Sequence, residues 1–294
     1  MNAAAPQRFV QLVECPRDAY QGLPQRIPVG VKVKHLNALV EAGFRRIDFG
    51  SFVSPQAVPQ MSDTVAVWEG LQHDRGVEWI AIIVNERGAG DAAVRRVPVA
   101  GFPLSVNETF QVRNTNKDFA ATWPMLERIS QDLGASQTEL VVYLSMAFGN
   151  PYGEPHDAAR VVEFAKRVGE LGVFRISLAD TVGAAQPEQI EPVFTAVRDA
   201  LPRATIGLHL HQRPDRWPAV VDAALRAGCR RFDAALGGIG GCPFADDELV
   251  GNLPSEGLIP YLHDAGYNPS ELGGVDLSPL VESARRLAAI GQGS

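Results

Sequence analysis

The strongest chemical signal in the chain is His209-Leu210-His211. On a strand, residues two apart face the same side, so both imidazoles would share one face and Leu210 would take the other. Two such rings at a strand end can chelate one divalent ion. The alternative is a pair of hydrogen-bonded core histidines. The chain has only six histidines, and two at this spacing favour the metal. Asp18 offers a carboxylate to the same ion, and Asn252 or Asn150 a neutral oxygen. Two imidazoles with oxygen donors and open positions suit Mg²⁺, Mn²⁺, Co²⁺ or Zn²⁺. Arg17 stands beside Asp18. Neighbours of this kind are often a surface ion pair. At a buried strand end, the same guanidinium presents a fixed fork of donors to an oxyanion while Asp18 turns to the metal. Cys242 follows Gly237-Gly238-Ile239-Gly240-Gly241, a run able to close over a substrate. Its thiol is either an acid/base group or nucleophile with a tuned pKa, or an inert packed residue.

These residues share a position relative to the elements around them. Runs rich in Val, Ile, Leu and Phe predict strands at Arg8–Pro16, Arg45–Ser51, Trp79–Val84, Val97–Pro103, Leu140–Phe148, Val173–Ala179, Thr205–His211 and Arg231–Leu236. Several are continuously apolar, as parallel strands covered on both faces are. Amphipathic patterns lie between them at Val33–Ala42, Ala158–Leu171, Gln189–Ala200 and Trp217–Ala227. Gly43, Gly172 and Gly228 follow three of these, as left-handed C-caps do. Eight strands alternating with helices is the count of an α/β (β/α)8 TIM barrel, with a doubly wound open sheet as its rival.

The polar residues favour the barrel. Arg17 and Asp18 follow the first strand, and Asp48 lies near the end of the second. Ser145 and Asn150 close the fifth, Asp180 and Thr181 the sixth, and the histidine pair the seventh. Cys242 follows the eighth. In a closed parallel barrel those ends converge on one face, whereas an open sheet spreads them along an edge. No composition break, linker or repeat divides the chain, so residues 1–294 read as a single domain. Residues 273–294 add a C-terminal helix, Leu280–Ile290, packed on the barrel.

Composition excludes several classes. With 294 residues, 46% apolar and 21% charged, a sizeable core is possible and disorder is not the dominant state. No apolar run reaches the length of a membrane span, and Met1–Pro6 lacks a signal-peptide pattern, so a cytoplasmic protein is expected. A net charge of −7 without a Lys/Arg cluster argues against nucleic acid or an anionic membrane as partner. Three cysteines make a disulfide framework unexpected, and Cys15 and Cys229 read as packing. The Gly237–Gly241 run is not a dinucleotide fingerprint, and no Walker-type phosphate loop occurs. Asp246-Asp247-Glu248 reads as a solvated helix start or lid edge rather than a metal cluster.

Nearly end to end, the chain resembles the 3-hydroxy-3-methylglutaryl-CoA lyase family of metal-dependent TIM-barrel lyases and Claisen enzymes. The matching stretches are Val13-Glu14-Cys15-Pro16-Arg17-Asp18, Ser51-Phe52-Val53-Ser54-Pro55 with Val58-Pro59-Gln60-Met61, Phe148-Gly149-Asn150-Pro151-Tyr152-Gly153 and Ser177-Leu178-Ala179-Asp180-Thr181. His209-Leu210-His211 and Gly240-Gly241-Cys242-Pro243-Phe244-Ala245 with Gly251-Asn252 complete the set. The histidine pair is common to the superfamily. The S-F-V-S-P…V-P-Q-M stretch and the G-G-C-P loop are specific to the lyases. The resemblance implies cleavage of a 3-hydroxy-3-methylglutaryl thioester to acetyl-CoA and acetoacetate by a homodimer using Mg²⁺ or Mn²⁺. It implies Asp18, His209, His211 and Asn252 as metal ligands, and Arg17 as stabiliser of the enolate oxygen. Cys242 would be the loop thiol that moves a proton, and Gln21, Asp180 and Asn150 would line the substrate site. Asp48 stands where the family usually carries Glu, one methylene longer, in an acid/base or supporting role. The family's G-L-Q-N after Arg-Asp becomes Ala19-Tyr20-Gln21-Gly22, and its Asp or Asn after the second His becomes Gln212.

Overall fold

In the computed structural model, which describes residues 8–73, 75–241, 250–269, 272 and 275–293, the apolar runs pair side by side into a closed barrel. Its strands are β1 (Gln11–Glu14), β2 (Arg46–Ser51), β3 (Glu78–Ile82), β4 (Val99–Ser105), β5 (Glu139–Ser145), β6 (Arg175–Asp180), β7 (Thr205–Gln212) and β8 (Arg231–Ala234). Each runs parallel to its neighbours. Strand β8 pairs with both β7, where His209 lies beside Asp233, and β1, where Glu14 lies beside Ala234. That double pairing closes the sheet and excludes the open alternative.

Helices fill the crossovers, among them Val29–Glu41, Ala158–Glu170, Pro187–Ala200 and Trp217–Arg226. Gly43, Gly172 and Gly228 follow three of these at φ 109°, 82° and 94°, a conformation in which a side chain is strained. Burial works on two levels. Val13, Cys15, Ile80, Val99, Val141 and Tyr143 fill the barrel interior. A larger apolar layer, with Leu36, Leu39, Phe102 and Phe232 fully buried, joins the strands to the helices. The ends of the barrel differ. At the strand starts, Arg175 bridges Glu78 (2.6 Å) and Glu139 (2.8 Å), an ion cluster that ties β6 to β3 and β5. The chemically unusual side chains gather at the strand ends.

The run read as one strand over Arg8–Pro16 divides at Val10. Arg8–Phe9 pair with Tyr267–Asn268 outside the barrel, and only Gln11–Glu14 join it. Pro16 has no N–H for a ladder and instead opens a short helix, Pro16–Tyr20. The C-terminal helix runs over Ser278–Gln292, and its Leu287 packs with Ala19, Tyr20, Ile27, Met61 and Ala235. It therefore braces the Pro16–Tyr20 helix from outside. Among the described residues, no helix is long and apolar enough to cross a membrane.

Candidate metal centre and active site

The helix that follows β1, the end of β7 and one returning segment build the centre. The Pro16–Tyr20 helix turns consecutive residues about 100° apart, so Arg17 and Asp18 point in different directions from one turn. Strand β7 places His209 and His211 on one inward face, as the two-residue period requires. The segment Gly251–Asn252 re-enters antiparallel to the end of β7, with Asn252 beside His211. Two glycines permit this return. A Cβ on Gly251 would collide with the Gly238 carbonyl, and one on Gly240 would lie 2.7 Å from Asn252 Nδ2 and 2.9 Å from the Asp18 carbonyl.

The donor atoms converge. His209 Nε2 and His211 Nε2 are 3.1 Å apart, and His211 Nε2 is 3.4 Å from Asp18 Oδ2. Asn252 Nδ2 donates to Asp18 Oδ2 (2.9 Å) and to the Ile239 carbonyl (2.9 Å), while its Oδ1 is buried without a partner. All four residues are at most 9% exposed. A buried, unpartnered carbonyl oxygen beside two facing ring nitrogens and a carboxylate is costly without a cation and suited to one. The donors are two nitrogens and two oxygens, which fits a borderline or hard divalent ion. These residues therefore fit the metal that the family resemblance implies.

Arg17 lies next to this set. Its Nε and Nη2 donate to Asp48 Oδ2 at 3.0 and 2.5 Å, and its Nη1 donates to Asp18 Oδ1 at 2.8 Å. Gln21 Nε2 also donates to Asp18 Oδ1 (3.0 Å). Asp18 thus gives Oδ1 to Arg17 and Gln21, while Oδ2 accepts from Asn252 and faces His211. Burial opposes its ionisation, but Arg17 and the two imidazoles outweigh that and hold its carboxyl well below the usual range. For Asp48 burial wins over Arg17, and its carboxyl is pushed up to about 6. Asp48 Oδ1 is buried and unpartnered.

A family model described as HMGL-like matches residues 10–286. The chain belongs to the HMGL-like family. It is 32% identical to the hydroxymethylglutaryl-CoA lyase of Bacillus subtilis over 244 residues, 83% of this chain and 81% of that one. It is likewise 32% identical over 286 residues to a 3-hydroxy-3-isohexenylglutaryl-CoA/hydroxymethylglutaryl-CoA lyase of Pseudomonas aeruginosa, covering 96% of this chain and 92% of that one. Among solved structures, an HMG-CoA lyase of Acinetobacter baumannii in complex with coenzyme A and 3-methylmalate superposes with a TM-score of 0.89 at 30% identity. That match covers 98% of this chain and 93% of the other.

Within this HMGL-like barrel, Arg17, Asp18, Gln21, Asp48, His209, His211 and Asn252 form one connected cluster. Asp180 and Asn150 are hydrogen-bonded outside it, Asn150 within its own loop and Asp180 to its loop and to Gln212 of β7. Asp180 accepts from Ala184 N (2.9 Å), Ala185 N (3.0 Å) and Gln212 Nε2 (2.7 Å). Asn150 accepts from Tyr152 N and Glu154 N and donates to the Glu154 carbonyl. Cys242 and the trio Asp246–Glu248 lie outside the described residues. Cys15 and Cys229 are buried free thiols.

Two acidic residues of the site region escaped sequence reasoning. Asp233 lies in the middle of β8, fully buried, with Oδ2 3.3 Å from His209 Nδ1. Its signal was available: a carboxylate inside an apolar strand of a closed barrel needs a partner. Glu14 ends β1, also buried. It accepts from Leu236 N (2.8 Å) and from the Ser255 hydroxyl, the residues that flank the segment carrying Asn252. Burial pushes its carboxyl up to about 8. A folded pKa above the unfolded one gives stability that is complete below the unfolded value and lost as pH rises. Stability should therefore decline between about pH 5 and 8, by at most roughly 3–5 kcal/mol from this residue. Glu14→Gln keeps an acceptor for Leu236 N and has no proton to lose. It should flatten that slope in denaturant melts run from pH 5 to 9. An unchanged slope would exclude Glu14 as its source.

Proposed function

We propose that this protein cleaves the C2–C3 bond of 3-hydroxy-3-methylglutaryl-CoA, releasing acetyl-CoA and acetoacetate, with Asp18, His209, His211 and Asn252 holding a Mg²⁺ or Mn²⁺ ion. The observation that carries this reading is the convergence of those four ligands with Arg17 on the strand-end face of an HMGL-like barrel. Membership of the family and the coenzyme A bound to the Acinetobacter baumannii structure support an acyl-CoA substrate.

The reaction has three demands. The C3 hydroxyl gives its proton to a base, for which the unpartnered oxygen of Asp48 is the candidate in this reading, and becomes a carbonyl as C2–C3 breaks. The bonding pair stays on C2 and delocalises onto the thioester oxygen. The resulting enolate then takes a proton at C2. A divalent ion, when bound, acidifies a coordinated hydroxyl and orients the substrate. Arg17 meets the second demand. A guanidinium has five N–H donors; three bonds go to Asp48 and Asp18, which leaves two for the enolate oxygen. Asp48 holds the fork in place with one oxygen, and its other oxygen is buried without a hydrogen-bond partner. Gln21 steadies Asp18. Asp180 and Asn150 shape the loops after β6 and β5 that border the substrate. Cys242 delivers the proton to C2 in this reading.

A longer substituent at C3 is the second reading. It is favoured by Asp48 in place of a longer Glu and by the Pseudomonas aeruginosa relative, whose name includes an isohexenyl substrate. Acetyl-CoA release from a panel of 3-hydroxyglutaryl-CoA thioesters with graded C3 groups decides between the two.

A further inference from the structure

A ligating imidazole needs its ring fixed as well as its position. The ring carries two nitrogens, and a neutral imidazole has a proton on only one of them. A ligand nitrogen must present its lone pair, so the proton has to sit on the other.

The geometry points to Asp233 as the positioning residue of the metal centre: it accepts the Nδ1–H of His209 and thereby presents Nε2 to the ion, with Arg231 holding Asp233 in place. The inference rests on His209 being a metal ligand, as proposed above. Three observations support it. His209 on β7 and Asp233 on β8 are ladder partners, so both side chains enter the barrel at the same level. Asp233 Oδ2 lies 3.3 Å from His209 Nδ1, while Nε2, on the opposite side of the ring, faces His211 Nε2 at 3.1 Å. Tyr143 of β5 meets the ring edge-on at 5.9 Å and 82°, which limits its rotation.

Arg231 sets Asp233 in turn. It lies two residues earlier on the same inward face, 3% exposed, with Nη1 3.3 Å from Asp233 Oδ1. A carboxylate this deep would be costly without a cation. Space for the guanidinium comes from Gly207, which lies two residues before His209 on the same face of β7. A Cβ there would lie 2.9 Å from Arg231 Nη1 and 3.1 Å from its Cγ. The patterns Gly207-x-His209 and Arg231-x-Asp233 on adjacent strands therefore interlock, small residue against large and imidazole against carboxylate. An acceptor behind a ligating imidazole fixes its tautomer and orientation, and losing one typically costs 10–100-fold in metal affinity.

The test is Mn²⁺ titration of metal-free protein, followed by electron paramagnetic resonance, for wild type, His209→Ala, Asp233→Asn and Asp233→Ala. Asp233→Ala should weaken binding by about 10–100-fold. Asp233→Asn retains an acceptor oxygen and should lose about tenfold or less. At saturating Mn²⁺, both should recover most of their kcat. A merely structural role would lower the melting temperature of metal-free protein and the fraction of binding-competent molecules, leaving the dissociation constant of that fraction unchanged. Unchanged affinity in both Asp233 variants, with binding lost in His209→Ala, would overturn this inference alone. No Mn²⁺ binding by wild type would overturn the metal reading and this inference together. Should Asp233→Ala fail to fold, nitrogen-15 correlation spectra of metal-free wild type at pH 8 decide. A proton on Nδ1 of His209 is expected, and a proton on Nε2 would overturn the inference.

Discussion

Arg17→Gln should lower kcat by about 10³–10⁴-fold while leaving Mn²⁺ affinity within about tenfold. In the proposed reading the guanidinium faces the enolate oxygen, and its fork is fixed by Asp48 and Asp18 before substrate arrives. Preorganised donors of this kind act in the transition state more than in the ground state, so kcat should suffer more than KM. The substitution has a structural cost as well. Breaking a buried ion pair leaves Asp48 without its partner, typically a loss of 3–5 kcal/mol. Asp48 already sits near pKa 6, so taking up a proton would relieve part of that cost. The double variant Arg17→Gln/Asp48→Asn separates the two effects. It should regain thermal stability and none of the activity. Steady-state kinetics and melts of the three proteins check this. A single variant with near wild-type kcat would remove Arg17 from the chemistry.

Asp18→Asn should reduce metal affinity by about 10³-fold or more, because it removes the only carboxylate among the proposed ligands and keeps the shape. Asp18 Oδ2 faces His211 and accepts from Asn252, so an amide there also sets a donor against a donor on one side or the other. The loss should appear without any substrate. A ligand that binds only the native state adds RT ln(1 + [L]/Kd) to stability, about 2.7 kcal/mol at a hundredfold excess over Kd. Wild type should gain that much on adding Mn²⁺, and Asp18→Asn should gain almost nothing at the same concentration. Differential scanning with and without metal measures it. Equal stabilisation of both proteins would mean that the ion binds elsewhere.

The strand framework was legible because parallel barrel strands are buried on both faces and so read as unbroken apolar runs. Differences fell at the ends. Pro16 leaves the ladder for a helix, and Met146, left-handed at φ 60°, ends β5 before the run of apolar residues stops. The centre itself was legible to the extent that its residues are rare types at strand ends: His209, His211, Asp18 and Arg17. Asn252 was legible only as one of two amides. The strand that carries it is two residues long and has no period to detect. Asp233 and Glu14 are easy to pass over because pattern reading averages over a strand, and an acid amid Arg231, Phe232 and Ala234, or after Leu12 and Val13, leaves the strand assignment unchanged. Their importance rests on pairing across strands, His209 with Asp233 and Leu236 with Glu14, which no single run displays.

The most direct measurement is acetyl-CoA release from 3-hydroxy-3-methylglutaryl-CoA by the chelated protein, before and after Mg²⁺ or Mn²⁺ is restored. Turnover that is absent after chelation and returns with either ion is the predicted result. No turnover with the ion demonstrably bound would contradict the proposed substrate, and turnover indifferent to chelation would contradict the role given to Asp18, His209, His211 and Asn252.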